Sequence, residues 1–132
     1  MGAWGTGNFE NDDASDWMFE LEDSSGVALL KAVFAKVEKN AYPEAPDCCV
    51  ALAAAEVVAA AKGKPSEDLP EEARNWIDRQ AKLDDIKVLD KVAKKAIDRI
   101  RNKSELKELW QDSEDWPKWQ QVLNRLEQRL QG

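Results

Sequence analysis

Glu10 with Asp13, and Glu20 with Asp23, form two carboxylate pairs three residues apart near the N-terminus. On a helix that spacing brings both acids of a pair to one side. Pairs of this kind hold Mg²⁺ in all-α pyrophosphohydrolases, provided that several carboxylates converge in one cleft. Glu56 is a third candidate, a single acid inside the apolar run from Cys48 to Ala61. Histidine is absent, which removes the commonest general base and metal ligand, so catalysis would have to rest on carboxylates, lysine or cysteine. Cys48 and Cys49 are adjacent, whereas structural disulfides link separated segments and metal sites need spaced ligands; both read as reduced core thiols. The glycines of the opening MGAWGTG lack the preceding strand and nearby cations of a phosphate cradle and are followed by acids. No catalytic residue, cofactor or metal is expected, Glu20 and Asp23 being the pair that a Mg²⁺-dependent alternative would use.

Charge is more informative than motif. The net charge is -7, and seven acids (Glu10, Asp12, Asp13, Asp16, Glu20, Glu22 and Asp23) precede the first basic residue, Lys31. The rest of the chain is balanced, with 19 acids against 19 Lys and Arg. Uniform solubilising charge would not be confined in this way. Lys87, Lys91, Lys94, Lys95, Arg99 and Arg101 form a basic stretch, but Asp90 and Asp98 interrupt it and the field of the whole protein opposes phosphate contacts, so no nucleic-acid partner is expected. Met1 leads into glycines and acids with no secretory pattern, and no apolar run is long enough to cross a bilayer. Gly2 and Thr6 match the loose myristoylation pattern, but acids behind them would be repelled by anionic lipid. A cytoplasmic protein with no membrane partner is expected.

The elements that must position these residues all read as helix. At 43% hydrophobic and 34% charged over 132 residues, the chain suits one folded domain. Residues 1–12 form an irregular Gly/Trp-rich arm. Ala14, Trp17, Met18 and Leu21 then give the stripe of a first helix, capped by Asn11, Asp12 or Asp13. Ser24, Ser25 and Gly26 end it, and a second helix spans Val27 to Lys39. After Tyr42, Pro43 and Pro46, Asp47 is expected to cap a third helix, alanine-rich on every side, which stops at Lys62, Gly63 and Pro65 and serves as the axis of the fold. A fourth starts at Leu69-Pro70, with Pro70 in its first turn and Ala73, Trp76 and Ile77 facing inward. A fifth runs unbroken from Asp84 to Lys103, Ser104 caps a sixth, and a seventh begins near Asp115. The expected fold is all-α, a single compact bundle of six or seven helices.

The segments MGAWGTGNFENDDASDW, ALAAAEVVAAAKGKP and LPEEARNW resemble the bacterial domain-of-unknown-function family numbered 4259. The resemblance covers residues 1–80 well and the remainder only by helical pattern. It implies a small, cytoplasmic, bacterial protein and carries over no catalytic residues.

Within this frame Trp4 is expected to pin the arm over one end of the bundle, with Phe9 beside it. If buried, Glu56 needs donors, to be found among the arm's glycine amides, the Trp4 indole or Arg74; the alternative is that it looks out to solvent through a gap in the bundle. Asp13, Asp16, Glu20 and Asp23 fall on one face of the first helix, with Phe19 among them, as a docking surface for a cationic protein would require. Trp119 reads as core and Trp116 as a staple or partly exposed contact, through which a homodimer could form; the oligomeric state is left open. The function expected is that of a non-enzymatic interaction protein, a regulator or neutraliser of a cationic partner such as a basic toxin or nuclease.

Overall fold

The computed structural model describes residues 3 and 5–131. Gly2 and Trp4, with Trp4's expected anchoring role, lie outside the described residues. The described residues form eight helical segments: α1 (Asp12–Asp23), α2 (Ala28–Lys39), α3 (Ala45–Ala61), α4 (Glu71–Asp78), α5 (Leu83–Lys87), α6 (Asp90–Asn102), α7 (Glu105–Gln111) and α8 (Trp116–Leu130). Seven are helices of seven residues or more and α5 is barely more than one turn, an all-α bundle as expected.

The α3 helix is the axis. It touches all seven other segments, and Ala51 through Ala59 are all buried. No single apolar face exists on this helix because every face is covered, and its alanines let neighbouring helices approach closely. Enlarging a residue here has nowhere to expand into. Ala54→Leu is expected to destabilise the chain by about 1–3 kcal/mol through overpacking, read as a lower denaturant midpoint with an unchanged slope.

Local chemistry sets the ends of the elements. Asn11 Oδ1 accepts from Ala14 N–H at 2.8 Å, which makes it the α1 cap among the three candidates. Ser104, fully buried, accepts from Lys107 N–H at 3.0 Å and donates to the Ile100 carbonyl at 2.7 Å, capping α7 while closing α6. Gly63 adopts φ 86° just past α3, where its N–H bonds Ala60 and the Lys64 N–H bonds Ala59. That pairing satisfies the free carbonyls of the last turn and requires a left-handed residue.

Three boundaries differ from the sequence reading. The α3 helix begins at Ala45 with Pro46 in its first turn, so Asp47 is not its cap but a first-turn acid paired with Lys36 at 3.2 Å. Pro70 precedes α4 instead of lying inside it. The segment expected as one fifth helix is two, α5 and α6, because the Leu89 N–H reaches back only three residues to Ile86 and tightens the chain at exposed Val88. The apolar stripe survives the break: Ile86, Leu89, Ala93, Ile97 and Ile100 are all buried.

Two long-range contacts brace the bundle. Trp76 Nε1 donates to the Ser24 carbonyl at 2.9 Å, fixing the turn between α1 and α2 on α4. Lys62 Nζ donates to Asp90 Oδ2 at 2.8 Å and to the Leu130 carbonyl, tying the ends of α3 and α8 to the start of α6. The same hydrogen bond holds the Asp90 carboxyl below its usual range.

Candidate functional site

Glu56 lies at mid-length of α3 and is 2% exposed. An unpaired carboxylate there would cost several kcal/mol, and it is fully engaged. Arg129, near the end of α8, grips it with both guanidinium nitrogens, Nη1 on Oε1 at 2.6 Å and Nη2 on Oε2 at 3.1 Å. Asn8 Nδ2 donates to Oε2 at 2.7 Å. This planar, two-toothed pairing is the strong form of a charge-assisted hydrogen bond. With both oxygens occupied, Glu56 holds parts of the fold together and offers no free base.

The arm therefore does cap Glu56, but through a side chain. Among the described residues neither a glycine amide nor Arg74 takes part, and the Trp4 indole lies outside them: Gly7 N–H donates to Glu10 Oε1 at 3.0 Å, and Arg74 stands exposed on α4. The glycines make room for Glu10, whose carboxylate oxygen would lie 2.4 Å from a Cβ at Gly5 or at Gly7. The arm is otherwise held by a bridge from Ala3 to Asn11 and by burial of Asn8 and Phe9. Beside Glu56, the arm, the 65–68 loop and α8 enclose a groove of about 430 Å³ that exposes Arg125 as well as Arg129.

Under the arm lies a tryptophan stack. Trp119 packs against Trp116 on one side, with ring centroids 5.6 Å apart, and against Trp110 on the other, at 6.5 Å. Trp110 and Trp119 also face Gly5 through Asn8 across a gap of about 10 Å³. Trp116 is half-buried in this stack, which makes it a staple for Trp119 and leaves only part of its ring outward.

The acidic face of α1 opens into a second groove, of about 270 Å³, between α1, α2 and α3. Asp13, Asp16 and Glu20 supply its acidic rim from α1, and Asp47 adds a carboxylate from α3. Trp17, Val33 and Val50 form its apolar wall, all three packed on the core. Among the described residues Lys36 is its one cation, already paired with Asp47. Among the described residues none of the acids of α1 takes part in an ion pair. Trp17 is 3% exposed, and its indole N–H is a buried donor with no acceptor among the described residues, a deficit of about 1–3 kcal/mol.

Not all of the expected docking residues meet. Phe19 is 69% exposed but leans to the other flank of α1, beside Phe9, Met18 and Pro70, and Asp23 borders neither groove. A helical wheel places Phe19 correctly on the outer face but cannot see that α2 and α3 close only one side of it. Glu20 and Asp23 gain no third ligand either: among the described residues no three acids, cysteines or histidines are grouped to hold a metal ion. On α6, Arg99 donates to the Asn40 carbonyl at 2.6 Å and Arg101 binds Asp98, Glu127 and Asn124, so both are occupied within the fold. No described helix is long and apolar enough to cross a membrane.

The family described as Domain of unknown function (DUF4259) matches residues 2–122, from the arm into α8. The chain belongs to this family. The DUF4259 match extends well past residue 80, so the C-terminal helices belong to it as much as the glycine-rich opening. It takes in Asn8, Glu56 and every residue of the acidic groove, and it ends before Arg129. No curated protein and no solved structure matches the chain.

The cysteines lie apart from both grooves in chemical terms. Cys48 and Cys49 are buried and unpaired, and burial pushes both thiols up to about 12. Thiolate is the reactive form, so the native chain is expected to leave both thiols unmodified by Ellman's reagent at pH 8 and to release two equivalents in denaturant. Labelling of the native chain at the denatured rate would contradict this burial.

Proposed function

We propose that this protein is a non-enzymatic interaction module that binds a cationic protein through the acidic groove of α1. The observation that carries the reading is the unbalanced charge of that groove: Asp13, Asp16 and Glu20 stand at an apolar wall and form no ion pair among the described residues, while Lys36 is paired with Asp47. A surface of uncompensated acids raises the encounter rate with a basic partner and rejects acidic ones. The apolar wall supplies the area that rim charges lack. A regulator or neutraliser of a basic toxin or nuclease fits this chemistry. We further infer a cytoplasmic, bacterial protein, in keeping with two unpaired buried thiols.

The test is capture from lysate of the source cells. The wild-type chain should retain a basic protein at low salt and release it as salt is raised. Asp16→Lys with Glu20→Lys should lower the affinity for that species by about tenfold or more. Both substitutions are on exposed helix positions, and an unchanged thermal midpoint would show that the fold is intact. Equal retention by the double variant would refute the reading.

A further inference from the structure

The groove beside Glu56 is separate from the one on α1, and it carries charges of both signs. Its floor is neutral, because Glu56 and Arg129 cancel each other in their two-toothed pair. One turn before Arg129, on the same groove-lining side of α8, stands Arg125, which is exposed and makes no ion pair among the described residues. The 65–68 loop supplies Glu67 and Asp68, which are likewise outside any ion pair among the described residues. Asp68 is held in place: its Oδ1 accepts from Ser66 Oγ at 2.6 Å, and its Oδ2 lies against the arm, 2.9 Å from where a Cβ on Gly7 would stand. A guanidinium and carboxylates thus border one groove of about 430 Å³ without closing on each other. Opposite charges kept apart across a space of that size suit a small ligand that carries both.

We propose that this groove binds a free aliphatic α-amino acid, its carboxylate on the Arg125 guanidinium, its ammonium on the Asp68 carboxylate and its side chain against Val122 and Pro65. The inference is independent of the acidic groove of α1 and adds a small-molecule site to the protein. The planar fork of an arginine matches a carboxylate with two parallel hydrogen bonds. An ammonium brings three donors and no acceptor. Both oxygens of Glu56 are already taken by Arg129 and Asn8, so the ammonium goes to the loop and not to the floor. A bare anion would face Glu67 and Asp68 within a chain of net charge -7. A bare amine would leave Arg125 without a counter-charge. Only the zwitterion satisfies both sides, and Val122 and Pro65 are the apolar lining left for its side chain.

L-leucine is the probe, with 4-methylpentanoate as the same skeleton lacking the ammonium and 3-methylbutylamine as the one lacking the carboxylate. Each is titrated into the full chain by calorimetry, and amide chemical shifts of Gly7, Ser66 and Arg125 locate the site. Leucine should bind saturably, shift those amides and raise the thermal midpoint. Each truncated probe should bind about tenfold more weakly or worse, the value of one lost charge-assisted contact. Arg125→Gln and Asp68→Asn should each weaken leucine by about three- to tenfold. Both positions are exposed, and circular dichroism checks that each variant stays folded. Lys118→Gln, an exposed cation on α8 that does not line the groove, should leave the affinity unchanged. The proposal is overturned if leucine gives no saturable change, if 4-methylpentanoate or 3-methylbutylamine binds as well as leucine, if the shifts fall on α1 instead, or if a folded Arg125→Gln binds leucine as wild type does.

Discussion

Replacing Arg129 by methionine is expected to destabilise the chain by about 2–4 kcal/mol, near the cost of breaking a buried ion pair from one side. The reason is what remains. Glu56 is 2% exposed and, among the described residues, would keep a single donor, Asn8 Nδ2, for a full negative charge in the axial helix. Methionine preserves most of the aliphatic length, so lost packing is a minor part of the change. Glu56→Gln in the wild-type background is expected to cost about 1–2 kcal/mol, because Arg129 then loses a charged acceptor but its side chain is 22% exposed and stays in reach of water. With Gln at 56 already in place, adding Arg129→Met should cost only about 1 kcal/mol, since no buried charge is abandoned. The difference between the two backgrounds, read from guanidinium denaturation, is the coupling of the pair. Equal costs in both would mean that Arg129 acts through packing and not through Glu56.

That pair also shows where sequence reasoning stops. The need was legible: a lone acid in ALAAAEVVAAA must have donors. Their identity was not, because Asn8 is 48 residues away and Arg129 is 73 away, and Arg129 in the last turn of α8 looks like any cation placed to suit the helix dipole. The same limit governs the glycines. Their number signals close approach, but whether the approaching group is Glu56 or Glu10 depends on how the arm folds back. By contrast, the alanine axis, the Ser104 cap and the stripe from Ile86 to Ile100 were readable, and the α1 cap was narrowed to Asn11, Asp12 or Asp13, since each depends on neighbours within one or two turns. The acidic face of α1 falls between these cases. Periodicity gathers Asp13, Asp16 and Glu20, but only the placement of α2 and α3 separates them from Phe19 and adds Asp47 and Lys36.

Trp119→Ala is expected to be the most damaging single truncation among the stacked tryptophans, at about 3–5 kcal/mol. Trp119 is 1% exposed and is the middle ring of the stack, so its removal deletes two aromatic contacts and leaves a cavity bounded by Trp110, Trp116 and the arm. The two stacks add about 0.5–1.5 kcal/mol each beyond buried area, which partial collapse of Trp116 into the space would recover in part. Trp116→Ala removes one stack and a half-buried ring, and should cost about 1–2 kcal/mol. The two variants also differ in what they do to the arm. Trp119 faces Gly5 through Asn8, whereas Trp116 does not border that gap, so amide exchange between Gly7 and Asn11 should accelerate in Trp119→Ala and stay near wild type in Trp116→Ala. Loosening of the arm would in turn draw Asn8 from Glu56 and leave Arg129 as its sole donor among the described residues. Trp119→Ala combined with Arg129→Met should therefore lose more stability than the two losses added, and simple additivity would show that the stack and the carboxylate support the arm independently.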